Sequence, residues 1–125
     1  MIKILLVERN LIFSSNLEML LNHDKEINVV GICREGNEVL EFIKKNDVDI
    51  VLMDNLQING FVITDLITGK YPNIKVIGFS TYDEGRIDNR LVELGAYSCL
   101  SKYNTTLDEL ISEIKNCKKT IKLTE

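Results

Sequence analysis

The sequence has no Cys-x-x-Cys pair, no Gly-x-Gly-x-x-Gly or P-loop pattern, no run approaching 18 apolar residues and no clustered basic block. Each absence removes a class of function. The three cysteines, Cys33, Cys99 and Cys117, are odd in number and widely spaced. That excludes a zinc or disulfide framework and points to a reducing cytoplasm. Each lies among apolar neighbours and reads as a small buried hydrophobe. Without a phosphate-binding loop there is little basis for nucleotide binding or for a flavodoxin-like small-ligand binder. The opening MIKILLVER carries one short apolar stretch that ends in charge, too short for a signal peptide or a membrane span. With 15 basic and 19 acidic residues the net charge is −4, which lacks the footprint of direct nucleic-acid binding. The one histidine, His23, stands beside Asn22 and Asp24 and reads as a surface residue. Repeats, low-complexity tracts and Pro/Gly-rich linkers are also missing, so the 125 residues read as one domain.

What is present is an alternation. Short Ile/Val-rich runs lie at Ile2–Val7, Ile27–Cys33, Val48–Met53, Lys75–Phe79 and, more weakly, Ser98–Leu100. They are nearly continuous, as strands are when both faces of a parallel sheet are covered. Between and after them run helical patterns. Leu11, Phe13, Leu17, Leu20 and Leu21 mark the first, and Val39, Leu40, Phe42 and Ile43 the second. Phe61, Val62, Leu66 and Ile67 mark the third, and Ile87, Leu91, Val92 and Leu94 the fourth, which Gly95 stops. The fifth carries Leu107, Leu110, Ile111 and Ile114 and opens on Thr106-Leu107-Asp108-Glu109, a capping-box pattern. Residues 1–119 make the domain, and the polar stretch 120–125 reads as a tail, a fraying helix end or a linker stump. The fold class is α/β: one doubly wound, flavodoxin-like (βα)5 unit with a five-stranded parallel sheet, for which the order 2-1-3-4-5 is a common solution.

Sites in such sheets form past the carboxyl ends of the strands. There stand Glu8 and Arg9 after the first run, Asp54 after the third, Ser80 and Thr81 after the fourth, and Lys102 after the fifth. In the 2-1-3-4-5 order they converge in one crevice. Ser80 and Thr81 also suit the cap of the fourth helix, which Asp83 and Glu84 would open. Tyr82, Tyr97 and Tyr103 suit either packing or a partner face.

KILLVERN, DIVLMDN, VIGFSTYDE and LGAYSCLSK stand in order along nearly the whole chain. Together they resemble the receiver domains of bacterial two-component response regulators, above all the NarL/LuxR-type branch. The resemblance implies that Asp54 is the phosphoacceptor, Ser80 the hydroxyl that meets the phosphoryl group and Lys102 its ammonium partner. It implies that Glu8, Asp54 and the Leu56 carbonyl would hold Mg²⁺. An acyl phosphate formed on a carboxylate, with cations neutralising crowded oxygens, is the chemistry these residue types support.

The sequence departs from that pattern at three places. Arg9 stands where the resemblance calls for a second acidic metal ligand. Asp54 is followed by NLQING, which shortens the following loop by two residues and lacks Met-Pro. Cys99 takes the aromatic switch position, and Tyr103 follows the lysine where a proline is frequent. A receiver site of three carboxylates and one lysine carries about −2, whereas Glu8, Asp54, Arg9 and Lys102 sum to zero. Mg²⁺ seeks hard anionic oxygens, and one like-charge contact at an effective dielectric of 20 costs on the order of a few kcal/mol. The expectation is that Arg9 pairs with Asp54, favours its ionised form and fills the metal's volume. The chain then reads as an atypical receiver, a signalling module and not an enzyme, with no required cofactor and weak Mg²⁺ binding. It would act through a histidine kinase or other signalling protein, and as a homodimer through the fourth helix, fifth strand and fifth helix face. The resemblance places a helix-turn-helix output domain after such a module. The competing reading is a conventional receiver phosphorylated on Asp54 with Mg²⁺.

Overall fold

A computed structural model describes residues 1–54, 60–80 and 90–124. The strands are β1 (Ile2–Val7), β2 (Ile27–Cys33), β3 (Ile50–Met53), β4 (Lys75–Ser80) and β5 (Ser98–Ser101). The helices are α1 (Leu11–Asn22), α2 (Gly36–Lys45), α3 (Gly60–Lys70), a fourth, α4, of which residues 90–93 are described, and α5 (Leu107–Thr124). The strands form one parallel sheet in the order β2-β1-β3-β4-β5, the order expected from the alternation. The third strand starts at Ile50 rather than Val48. The carboxylate of Asp49 accepts from the Lys3 amide and from Lys118, so Asp49 works as a side-chain tie below the ladder.

Period-2 alternation splits the apolar runs between two layers. Ile4, Leu6, Ile50, Leu52, Ile77 and Phe79 face a core built with Leu17 and Leu21 of α1 and Leu110, Ile114, Cys117 and Ile121 of α5. Leu5, Val7, Val51, Met53 and Val76 face the other core, with Val39 and Ile43 of α2, Ile63 and Ile67 of α3, and Leu91. Both faces are covered, so the runs carry no polar alternation.

The capping box of α5 forms as its residues foretell: the Thr106 amide donates to Glu109, and the Glu109 amide donates to the Thr106 hydroxyl. The Thr106 amide first, and then its hydroxyl, hold the Glu109 carboxyl below its ordinary value. The segment assigned to a tail needs correction. Helix α5 runs through 120 to Thr124, and Ile121 is 1% exposed in the α1-side core. Gly78 in β4 is where a side chain would not fit, since an added Cβ would lie 2.4 Å from Leu91 and 2.6 Å from the Cys99 sulfur. Gly95, at φ +109°, turns the chain from α4 into β5 in a conformation that side chains resist.

Candidate functional site

Strand register assembles the site. Val7 pairs with Met53, so the next residues, Glu8 and Asp54, come side by side. Their amides are tied into the sheet, Glu8 N to Cys33 O at 2.9 Å and Asp54 N to Val7 O at 3.0 Å. Ser80 pairs with Ser101, and the Lys102 amide donates to Ser80 O at 2.7 Å, which sets Lys102 at the same end. Glu8, Asp54 and Ser80 are buried.

The three charged groups meet. The Lys102 ammonium pairs with Glu8 Oε1, and it lies 3.7 Å from Asp54 Oδ2. The side chains of Lys102 and Glu8 are each 9% exposed. The other Glu8 oxygen accepts from the Asn10 amide at 3.0 Å. Asn10 is itself the N-cap of α1, its side chain accepting from Phe13 N. Phe13 supplies a further contact, its ring 4.4 Å beneath the Lys102 ammonium, in the range of cation–π attraction. A cleft of about 320 Å³, lined by Glu8, Asn10, Phe13, Asp54, Lys102 and Tyr103, opens over the cluster.

The expected Arg9–Asp54 pair is not formed. Arg9 reaches sideways to Glu35, 3.4 Å away at the start of α2, with side-chain exposures of 57% and 54%. The guanidinium remains hydrated there, and the short way into the crevice is already held by Lys102. Cys99 lies half-buried on β5, packed over Gly78 on the α2/α3 side of the sheet and away from the carboxylates. Leu56, Thr81, Tyr82, Asp83, Glu84 and Ile87 lie outside the described residues. Burial pushes the Cys33 thiol up to about 11 and the Cys117 thiol up to about 12, so both stay protonated and serve as core atoms. Phe13, Asn10 and Glu35 are the contributors that sequence reasoning missed. Of these Asn10 was findable, as a capping residue just before an apolar helical pattern.

Among the described residues, no group of three or more His, Cys, Asp or Glu is arranged to hold a metal ion. No helix among them is long and apolar enough to cross a membrane.

Residues 4–115 match the response regulator receiver domain family. The chain is similar to the transcriptional regulatory protein LnrK of Bacillus subtilis, 35% identical over 104 residues that cover 82% of this chain and 47% of that protein. It is similar to the response regulator UvrY of Escherichia coli, 29% identical over 118 residues covering 93% of this chain and 54% of that one. The chain thus spans about half the length of these relatives. In structure it resembles the signal receiver domain of the putative response regulator NarL from Mycobacterium tuberculosis, with a TM-score of 0.86 at 23% identity, covering 94% of this chain and 96% of that one.

Proposed function

The chain belongs to the response regulator receiver family, and from that premise we propose a receiver whose acidic site is closed by its own lysine, signalling mainly by protein contact rather than by Mg²⁺-dependent phosphorylation of Asp54. One observation carries the reading: a buried ammonium held between Glu8 and Asp54, with Arg9 where a further carboxylate would stand.

The trio sums to −1, one charge short of a three-carboxylate site with a lysine. Both Glu8 oxygens are engaged, by Lys102 and by the Asn10 amide. Mg²⁺ keeps octahedral oxygen coordination and gives up its waters reluctantly, so it would have to displace an ammonium already in place. These residues do not fit a tightly held Mg²⁺. Asp54 keeps the position of a nucleophile, but among the described residues neutralising phosphoryl oxygens during transfer would fall on Lys102.

In this reading the module meets a histidine kinase or another signalling protein through α4, β5 and α5, and governs a transcriptional output region like that implied by its relatives' names. The competing reading, a working phosphoacceptor, draws on one observation, the outward turn of Arg9 onto Glu35, which removes the guanidinium from the metal's volume. Incubation with Mg²⁺ and acetyl phosphate, followed by the mass of the intact protein, separates the two. The expected result is little or no gain. A stoichiometric gain of one phosphoryl group, mapped to Asp54, overturns the reading.

A further inference from the structure

Lys102 is held by a circuit of contacts that closes through the start of α1. Its ammonium pairs with one oxygen of Glu8. The other oxygen accepts from the Asn10 amide at 3.0 Å. The Asn10 side chain accepts from the Phe13 amide at 3.0 Å, and the Asn10 carbonyl from the Ser14 amide at 3.0 Å. The Phe13 ring then returns to the ammonium, 4.4 Å from it. The lysine and the first turn of α1 thus restrain each other. The ring is also backed by Phe79, with centroids 6.1 Å apart. On the core side the packing leaves about 10 Å³, bounded by Leu17, Leu52 and Phe79. Toward Lys102 and Tyr103 the cleft of about 320 Å³ opens. A ring that loses its cation therefore has room outward and almost none inward. Strand β5 carries no ring to do this work. Cys99 stands where the resemblance calls for an aromatic, and it packs over Gly78 on the α2/α3 side of the sheet.

We propose that Phe13 is a positioning residue for Lys102, and that the first turn of α1 reports whether the ammonium sits between Glu8 and Asp54. The inference rests on the lysine-closed site proposed above and adds how its opening is read. An anionic group that competes for the ammonium would draw it off Glu8. The Glu8 carboxylate would then lose the cation that orients it, and the Asn10 amide its fixed acceptor. The ring would lose its cation–π contact. Both losses fall on one helical turn, whose first amides depend on their cap for partners. The opening of the site would be read at the N-terminus of α1.

Nuclear magnetic resonance with ¹³C-labelled lysine side chains tests the positioning. The Lys102 ε-methylene signal, identified by its loss in Lys102→Met, should lie upfield of the other lysines through the ring current of Phe13. Phe13→Tyr should keep that displacement, and Phe13→Leu should abolish it. Amide hydrogen exchange tests the coupling. The Phe13 and Ser14 amides bond the side chain and carbonyl of Asn10, as the Glu109 and Leu110 amides bond those of Thr106. The start of α5 is therefore a matched control, and a ratio of rates removes any general loss of stability. Relative to Glu109 and Leu110, Phe13 and Ser14 should exchange several-fold faster in Lys102→Met. Glu8→Gln, the milder change, should move the ratio the same way by less, and it serves if Lys102→Met does not fold. An undisplaced lysine signal in the parent, a displacement that survives Phe13→Leu, or an unchanged exchange ratio in the folded variants would each overturn the assignment. All are read without a phosphodonor, so uptake of phosphate by Asp54 would count against the closed-site reading alone.

Discussion

Two cations stand at the carboxyl end of one sheet and face different solvents. Lys102 has a side chain 9% exposed, holds two carboxylates and lies over an aromatic ring. Arg9, next to Glu8 in sequence, is 57% exposed and pairs with Glu35 at 3.4 Å. By charge counting they are equal. By physics they are not, because a pair in water is screened and worth a fraction of a kcal/mol, while a dehydrated pair is costly to break. The lysine therefore holds the two buried carboxylates, and Arg9 pairs away from them with Glu35.

The largest effect should come from Lys102→Met. It leaves Glu8 and Asp54 buried side by side with their shared counter-charge removed, and urea unfolding should show a loss of about 3–5 kcal/mol. A loss under about 1 kcal/mol, the size of an exposed pair, would erase the distinction between the two cations. Glu8→Gln keeps the shape and an acceptor for the Asn10 amide, so it should cost less, about 1–2 kcal/mol.

How much of this was legible depends on what kind of order a feature has. The strands were readable because both faces of the sheet are covered and the Ile/Val runs stay unbroken. The α5 start was readable because a capping box is a local code, four residues long. Glu8, Asp54 and Lys102 were placed at one end because each follows a strand of one parallel sheet, past its carboxyl end. The direction of Arg9 was not readable: beyond a strand end nothing in the sequence says which way a side chain leans, and its partner Glu35 comes from a different strand–helix unit. The end of α5 misled for another reason. Leu110, Ile114, Cys117 and Ile121 continue a helical spacing into the core, but the charged residues around Ile121 made the segment look like a linker.

Arg9→Asp sharpens the comparison from the other side. It deletes a positive charge beside the site and adds a carboxylate, so Mg²⁺ or Mn²⁺ titration should show affinity at least about tenfold higher, by the Coulomb energy of such a change near a surface. Equal affinity in the parent and the variant would mean that Arg9 is irrelevant to metal. In stability, Arg9→Ala should change little, less than about 0.5 kcal/mol.

The smallest effect lies at the opposite end of the sheet and tests whether exposure rather than location sets the worth of a cation. There Lys115 of α5 pairs with Asp24 at 3.0 Å and lies 3.7 Å from Glu26, with the lysine side chain 33% exposed. The Asp24 carboxyl is held below its ordinary 3.8, first by the Glu26 amide and then by Lys115. The Lys115 ammonium is held above its ordinary 10.5, first by its bond to Asp24. The lowered acid stabilises the fold above pH 3.8, and that contribution fades as pH falls through the lowered value. The raised base stabilises it below pH 10.5, and that contribution fades as pH rises through the raised value. The difference in urea midpoint between the parent and Lys115→Met should therefore be small, flat between those limits, and shrink beyond either one. The Glu26 amide still lowers Asp24 in the variant, so both proteins should lose some stability in acid. A difference that widened below pH 3.8 would require Lys115 to favour the protonated acid, the reverse of what an ammonium 3.0 Å from the carboxylate does.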